Sequence, residues 1–322
     1  METRATYGDL GTRGASADFE EVFNQNVNAF DGMDLVGKVL KKQSTNKGSF
    51  RDVGIVGYGF LEETAEGDDF PEDIDALTYT TQYTPRDLTK KVTVTDNLIQ
   101  DGTYGPQLDK FASYARASKY TLGKLSFNVL NTAFVTTAKV NGYHIDRYGD
   151  AQELASTVHP SKAGGSSQSN ASATSLVLSE TNLETGRLAL VKQLTDNSLP
   201  MVTMGGITLV VPDDLEKSAV IFTMSTKRAT TQDNDMNFYV GRINVMTVRW
   251  LNSDSGGTAT KWHLVSNMSK LKLYVRQEPS FDEFTDGNSR NRTYSVKMRA
   301  TAGFSDWRGT WHSKGDATAY SG

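Results

Sequence analysis

The longest apolar pattern in the chain lies in residues 105–135. Leu108, Phe111, Ala115, Leu122, Leu125 and Val129, with Ser118 among them, recur in steps of three and four and predict one face of a long helix. Pro106 suits its first turn. Gly123 weakens it by ~1 kcal/mol relative to alanine, and Lys110, Arg116, Lys119 and Lys124 decorate it. A shorter stripe of the same period, Phe19, Val22, Phe23 and Val27, predicts a small helix within DFEEVFNQNVNAF. Its flanks are polar and dotted with glycine, so residues 1–50 read as an arm. Strand period appears next. Val92 and Val94 alternate with Thr93 and Thr95, and RDVGIVGYGF and LTYTTQYTPRDL flank the acidic stretch LEETAEGDDFPEDIDAL. This pattern predicts a long two-stranded excursion with a charged middle. Such a hairpin is marginal alone and needs something outside itself to lie on.

Further on, TNLETGRLALVKQL predicts a helix opened by a Thr181–Glu184 capping box. ITLVVPDDLEKSAVIF reads as strand, proline, helix, with Asp213 and Asp214 at the helix start. FYVGRINVMTVRWLN and TKWHLVSN read as strands. KLKLYVRQE and RTYSVKMRATAG read as two more around a polar tip, PSFDEFTDGNSRN. Helices and strands are mixed in order, which predicts an α+β fold. No fixed-period repeat is present.

Composition narrows the function. The 322 residues suggest about two structural units. A net charge of −4 lacks the basic excess of a dedicated nucleic-acid binder. With no cysteine, disulfides, thiol catalysis and cysteine-ligated zinc are excluded. METRATYGDL is not a secretory signal, and no apolar run approaches the ~18 residues of a membrane helix, so a soluble intracellular chain without membrane contact is expected.

Candidate chemistry is sparse. Gly57-Tyr58-Gly59 begins a dinucleotide fingerprint but has Glu62 where the third glycine belongs, and a carboxylate there opposes a pyrophosphate. Ser44-Thr45-Asn46-Lys47 matches S-x-x-K without its partner motifs. The acidic residues Glu62, Glu63, Glu66, Asp68, Asp69, Glu72, Asp73 and Asp75 lack the order of a calcium loop, and His144, His159, His263 and His312 lack metal spacing. In ASTVHPSKAGGSSQSNAS, Ser156 and His159 resemble a nucleophile and base, but no orienting acid is evident and a Gly/Ser run is what a flexible loop needs. Replacing His159 is therefore expected to change little. No cofactor, metal or catalytic residue is expected. Arg276, Arg290, Arg292, Lys297 and Arg299 make the C-terminal hairpin basic, offset by Asp282, Glu283 and Asp286.

LVVPDDLEKSA, preceded by VKQLTDNSLPM, resembles the central motif of tailed-bacteriophage major capsid proteins. YHIDRYGDAQELASTVHPSKAGGSSQSN resembles a loop of the Mu-like major head proteins. VGRINVMTVRWLN with KWHLVSN, and SVKMRATAGFSDWRGTWHSKG, are similar to the family's later strands. The likeness covers most of 90–315. It implies the tailed-phage capsid fold, shared with encapsulins: an N-terminal arm at 1–50, an extended E-loop at 51–100, a peripheral P domain with its spine helix at 101–145, an axial A domain at 146–269, and P-domain strands with a C-terminal return at 270–322. It further implies a non-enzymatic shell subunit of the virion, assembled in the host cytoplasm into hexamers and pentamers around double-stranded DNA. Scaffold, portal and decoration proteins would be its partners. With no long helical region ahead of the arm, scaffolding is expected from a separate protein or another form of assistance. Phe19, Phe23, Asp68, Asp69, Glu72, Asp73, Arg290 and Arg292 are the expected inter-subunit residues. The alternatives are an encapsulin-type nanocompartment shell and a soluble hydrolase using Ser156 or His159.

Overall fold

A computed structural model of the chain describes residues 15–29, 35–57, 59–61, 63–65, 67, 69–70, 76–101, 105–137, 139–163, 165–201, 206–225, 236–287 and 291–320. In chain order the helices are α1 (Ala15–Ala29), α2 (Leu35–Val39), α3 (Asp96–Gln100), α4 (Gly105–Asn131), α5 (Glu180–Val191) and α6 (Glu216–Met224). The strands are β1 (Lys41–Ser44), β2 (Phe50–Ile55), β3 (Leu77–Tyr83), β4 (Arg86–Val94), β5 (Lys139–Val140), β6 (Tyr143–Asp146), β7 (Ile207–Val211), β8 (Ile243–Thr247), β9 (Trp262–Ser266), β10 (Leu271–Thr285), β11 (Arg292–Phe304) and β12 (Thr310–Ser313).

The long apolar face is that of α4. Phe111, Ala115, Ser118, Leu122, Leu125 and Val129 are all buried, while the Leu108 side chain lies outside the described residues. The helix packs on a sheet ordered β1-β10-β11-β6-β5, with β4 paired to β11. Leu125 and Leu130 share a core with Leu271, Leu273, Val275, Met298, Ala300 and Phe304. β4 runs antiparallel to β11 from Arg292 to Ala300, and β6 takes over at Ala302 and Gly303. A side chain at position 303 would start 2.0 Å from the Asp146 carbonyl oxygen, so glycine is what admits β6.

A second sheet, ordered β12-β9-β7-β8, has two apolar faces. Trp262, Leu264, Trp311, Leu209 and Val211 pack with Leu183 and Leu190 of α5 and Ala219 of α6. Val210 and Val265, of the opposite parity, join the main core with Leu130 and Phe134 at the end of α4. α5 approaches β12 closely because a Cβ at Gly186 would meet the Trp311 ring at 2.9 Å. Among the described residues the third sheet is β2 and β3 alone.

Several sequence expectations are corrected. The α5 cap is Ser179, whose hydroxyl oxygen accepts from the Asn182 N–H at 3.2 Å, rather than Thr181. Glu184 instead binds Arg187 and Tyr239. FYVGRINVMTVRWLN is a strand only over Ile243–Thr247. The tip residues PSFDEFT continue β10. β4 lies in the six-stranded sheet and not in the extended hairpin, because Leu88, Val92 and Val94 find apolar cover beside β11 and the helices. Among the described residues no helix is long and apolar enough to cross a membrane.

Candidate functional site

The segment 147–171 folds over the end of α4 and carries Ser156 and His159 inward. His159 is 1% exposed and stacks on Trp307, with ring centroids 4.3 Å apart. Its Nδ1 lies 2.8 Å from the Asp150 carboxylate and its Nε2 lies 3.1 Å from Asn170 Oδ1. The Asn170 amide is oriented by its other bonds, since Oδ1 accepts from the Ser156 N–H and Nδ2 donates to the Leu154 carbonyl. Asp150 is the orienting acid that the sequence pattern did not reveal. Nothing in RYGDAQ marks it, because the pairing depends on the path of the intervening loop.

The cluster nevertheless has no nucleophile relay. The Ser156 hydroxyl donates to the Val158 carbonyl at 3.1 Å, and both His159 nitrogens are engaged elsewhere. A hydrolase needs its serine and base in mutual contact and open to substrate. Here the groups are buried and serve packing. The expectation that replacing His159 changes little rests on its lacking partners, and here it has Asp150, Asn170 and Trp307; its removal would leave the buried Asp150 carboxylate with the Gln152 N–H alone. Arg308 forms a neighbouring node, joining Asp196 at 2.9 Å and Asp306 at 3.2 Å; burial disfavours its charge, but the two carboxylates more than offset this and raise its pKa.

The surface features differ in kind. The base of the β2–β3 hairpin is anchored: Asp52 meets Lys272 and Ser305, Thr81 donates to the Phe304 carbonyl at 3.1 Å, and Tyr83 packs on Phe50 and Tyr274. Toward the tip, Phe60, Leu61 and Phe70 are 75%, 101% and 90% exposed. Asp69 is also exposed there, whereas Asp68, Glu72 and Asp73 lie outside the described residues. A cleft of about 170 Å³ lies between α4 and the β4–β11 pair, lined in part by Leu88, Lys90, Tyr114, Thr121, Val296 and Met298. Exposed Lys91 and Arg116 belong to the same strand and helix.

Phe19 and Phe23 were expected to await a neighbour. Both are 0% exposed within the chain itself. Phe19 stacks on Phe111 at 4.2 Å and meets Tyr294 edge-on at 5.0 Å, while Phe23 lies 5.7 Å from Phe281. The physical reason is that α4 and β11 present an aromatic trough, to which Phe19 and Phe23 contribute roughly 1.5–3 kcal/mol each by burial. The Val27 side chain lies outside the described residues. Of the basic pair, Arg292 lies 3.4 Å from Glu283 and Arg290 lies outside the described residues. No cluster of histidine and carboxylate side chains suited to a metal ion occurs among the described residues.

A family model described as phage capsid protein matches residues 78–313. No curated protein matches the chain. Among solved structures, a chain of Mycobacterium phage Patience is 13% identical, with 99% of this chain and 96% of that chain covered and a TM-score of 0.57. The capsid of bacteriophage JBD30 is 17% identical over 67% of this chain and 90% of that one, with a TM-score of 0.52. The capsid of an empty GTA particle is 10% identical over 86% and 88%, with a TM-score of 0.53. At such identities the structural likeness is one of fold.

Proposed function

The chain belongs to the phage capsid protein family, and from that premise we propose that its copies close into an icosahedral head of hexamers and pentamers around double-stranded DNA. It is a capsid shell subunit with the tailed-phage capsid fold, and hence a component of the virion. In this reading each copy lays its β2–β3 hairpin over the next. The observation that carries it is the contrast within that hairpin: an anchored base with Tyr83 fully buried, and a tip with Phe60, Leu61 and Phe70 uncovered. Exposed aromatic and aliphatic side chains grouped in this way favour a protein partner. The partner is a second copy, whose α4–β4 face offers an apolar cleft with Lys90 in its lining to an acidic loop.

The subunit carries no reaction in this reading, which the engaged Ser156 and His159 support. The net charge of −4 suits enclosure of DNA without sequence-specific binding. A Mu-like head, assembled in the host cytoplasm with scaffold, portal and decoration proteins, is the fuller form of the proposal.

Electron microscopy of the purified full chain, with its nucleic-acid content measured, tests it. Closed shells are expected from the parent sequence. Phe60→Ser/Leu61→Ser/Phe70→Ser should leave folded subunits that do not assemble. Small discrete oligomers from the parent chain even when produced with its assembly partners, or normal shells from the triple variant, would overturn the hairpin contact. Shells that enclose an enzyme cargo instead of DNA would favour an encapsulin-type compartment.

A further inference from the structure

His263 and His312 face each other across the β9–β12 pair, on the side of the second sheet turned toward the end of α4. Both are 0% exposed, and their Nδ1 atoms are 2.9 Å apart. The hydrogen-bond chain fixes their tautomers. The Thr310 hydroxyl gives its one proton to the Trp307 carbonyl at 2.6 Å. It therefore accepts from His312 Nε2 at 3.0 Å. His312 Nδ1 is then the bare nitrogen, and it accepts from the Nδ1–H of His263. His263 Nε2 is left bare, buried, and without a hydrogen-bond partner among the described residues.

Two neutral rings thus hold two protons, and a third has no acceptor. Placed on His263 Nε2, it would be an unpartnered buried N–H on a charged ring. Placed on His312 Nδ1, it would face the N–H already there. The surroundings do not compensate. Facing the pair are His159, from the 147–171 segment, and Lys261, beside β9, both basic. Lys314, which follows β12, acts on Lys261 and lies over the Phe134 ring. Asp150 is engaged with His159, while Asp196 and Asp306 are engaged with Arg308. From α4, the element beneath, Lys261 meets the Asn131 carbonyl, and Phe134 just beyond the helix packs edge-on to His312.

We propose that this histidine pair is an acid-sensitive clasp on the seam between the second sheet and the rest of the subunit: one further proton opens the seam and frees β12 with the segment folded over it. The proposal concerns the folded chain and does not depend on the shell reading. Its sign follows from burial, which holds the His312 pKa down to about 3 and that of His263 well below the ordinary value. A group neutral in the closed state and protonated in the open one stabilises the closed state above pH 6.5 or so. That stability falls progressively as the pH drops from there toward the depressed value.

The test is hydrogen exchange of the unassembled full chain at pH 7.5 and 5.0, corrected for intrinsic rates. Protection of β9, β12 and residues 155–171 should fall roughly thirtyfold for each histidine that takes up its proton only on opening, from an ordinary pKa of about 6.5. The β10–β11 hairpin should change far less. His263→Gln/His312→Gln should remove the pair's share of the pH dependence. Equal pH dependence in parent and variant would overturn the clasp. If the variant does not fold, the parent decides alone: seam protection that is unchanged at pH 5.0, or that falls no more than the β10–β11 hairpin, overturns it equally.

Discussion

Two antiparallel hairpins in this subunit have similar local chemistry and opposite surroundings. β10–β11 is embedded: β1 and β4 flank it, α4 and α1 cover it, and Tyr294, Val296 and Met298 are buried. β2–β3 forms a sheet of its own, and beyond its anchored base Ile55, Phe60, Leu61, Phe70 and Leu77 are exposed. A two-stranded ribbon cannot bury one face by itself. The first hairpin solves that problem within the chain. The second leaves its tip uncovered, and in the proposed shell another molecule covers it. The difference is tertiary, so it separates what matters for folding from what matters for assembly.

The largest expected effect breaks the self-sufficient side. Deleting residues 15–29 uncovers the trough in which Phe19 meets Phe111 and Tyr294 and Phe23 meets Phe281. Losing the two rings alone should cost the subunit roughly 3–6 kcal/mol, read as a lower urea midpoint for the unassembled chain. This differs from the inter-subunit role expected of Phe19 and Phe23. Unchanged subunit stability would mean that the arm does not pack on its own chain in solution.

A somewhat smaller effect is expected at the segment over α4. His159→Ala leaves the buried Asp150 carboxylate with only the Gln152 N–H, which should destabilise by about 3–5 kcal/mol. Asp150→Asn added to it should recover a substantial part of the loss, because the uncompensated charge is gone. A double-mutant cycle by denaturant unfolding measures this coupling, and strictly additive losses would show that the pair does not act as a unit. In contrast, the Phe60, Leu61 and Phe70 substitutions should leave unfolding within about ±0.5 kcal/mol.

What was legible in the sequence follows the same division. The stripe from Phe111 to Val129 repeats within one element, so its burial could be read directly, and so could the proline break between β7 and α6. The Phe19 stripe was legible as a helix, but its cover was not, because Phe111 and Tyr294 become neighbours only after the chain has folded. Likewise, Val92 and Val94 signalled a strand without naming β11 as its partner. The His159 cluster was missed more completely. Asp150, His159 and Asn170 share no period, and Trp307 and Thr310 arrive from the far end of the chain. The His263–His312 contact was equally hidden, since alternation within β9 and β12 gives each residue a face but not their register.

The smallest expected effect per residue concerns charge, and it sharpens the comparison most. The hairpin tip is acidic over Glu62 to Asp75. The β10–β11 hairpin carries the opposite charge, yet several cations on or beside it have acids within the chain: Lys270 with Asp306, Lys272 with Asp52, Arg292 with Glu283 and Arg299 with Asp87. The embedded hairpin is therefore self-completed electrostatically as well as by packing. Lys90, exposed in the lining of the α4–β4 cleft, is better placed to receive a neighbour's loop. One exposed pair contributes only ~0–1 kcal/mol, so Asp69→Asn alone should do little. In a shell the same contact recurs at every equivalent interface. Asp68→Asn/Asp69→Asn/Glu72→Gln/Asp73→Asn should thus raise the concentration needed for assembly without moving subunit stability. Salt at 1 M, where the Debye length is ~3 Å, should act in the same direction on the parent chain. Lys90→Glu should weaken assembly, and combining it with Asp69→Lys should restore part of it. Light scattering against protein concentration reads all of these. If the combined reversal recovers nothing, or if Arg290 and Arg292 reversals prove the more damaging, the loop does not dock on the α4–β4 face.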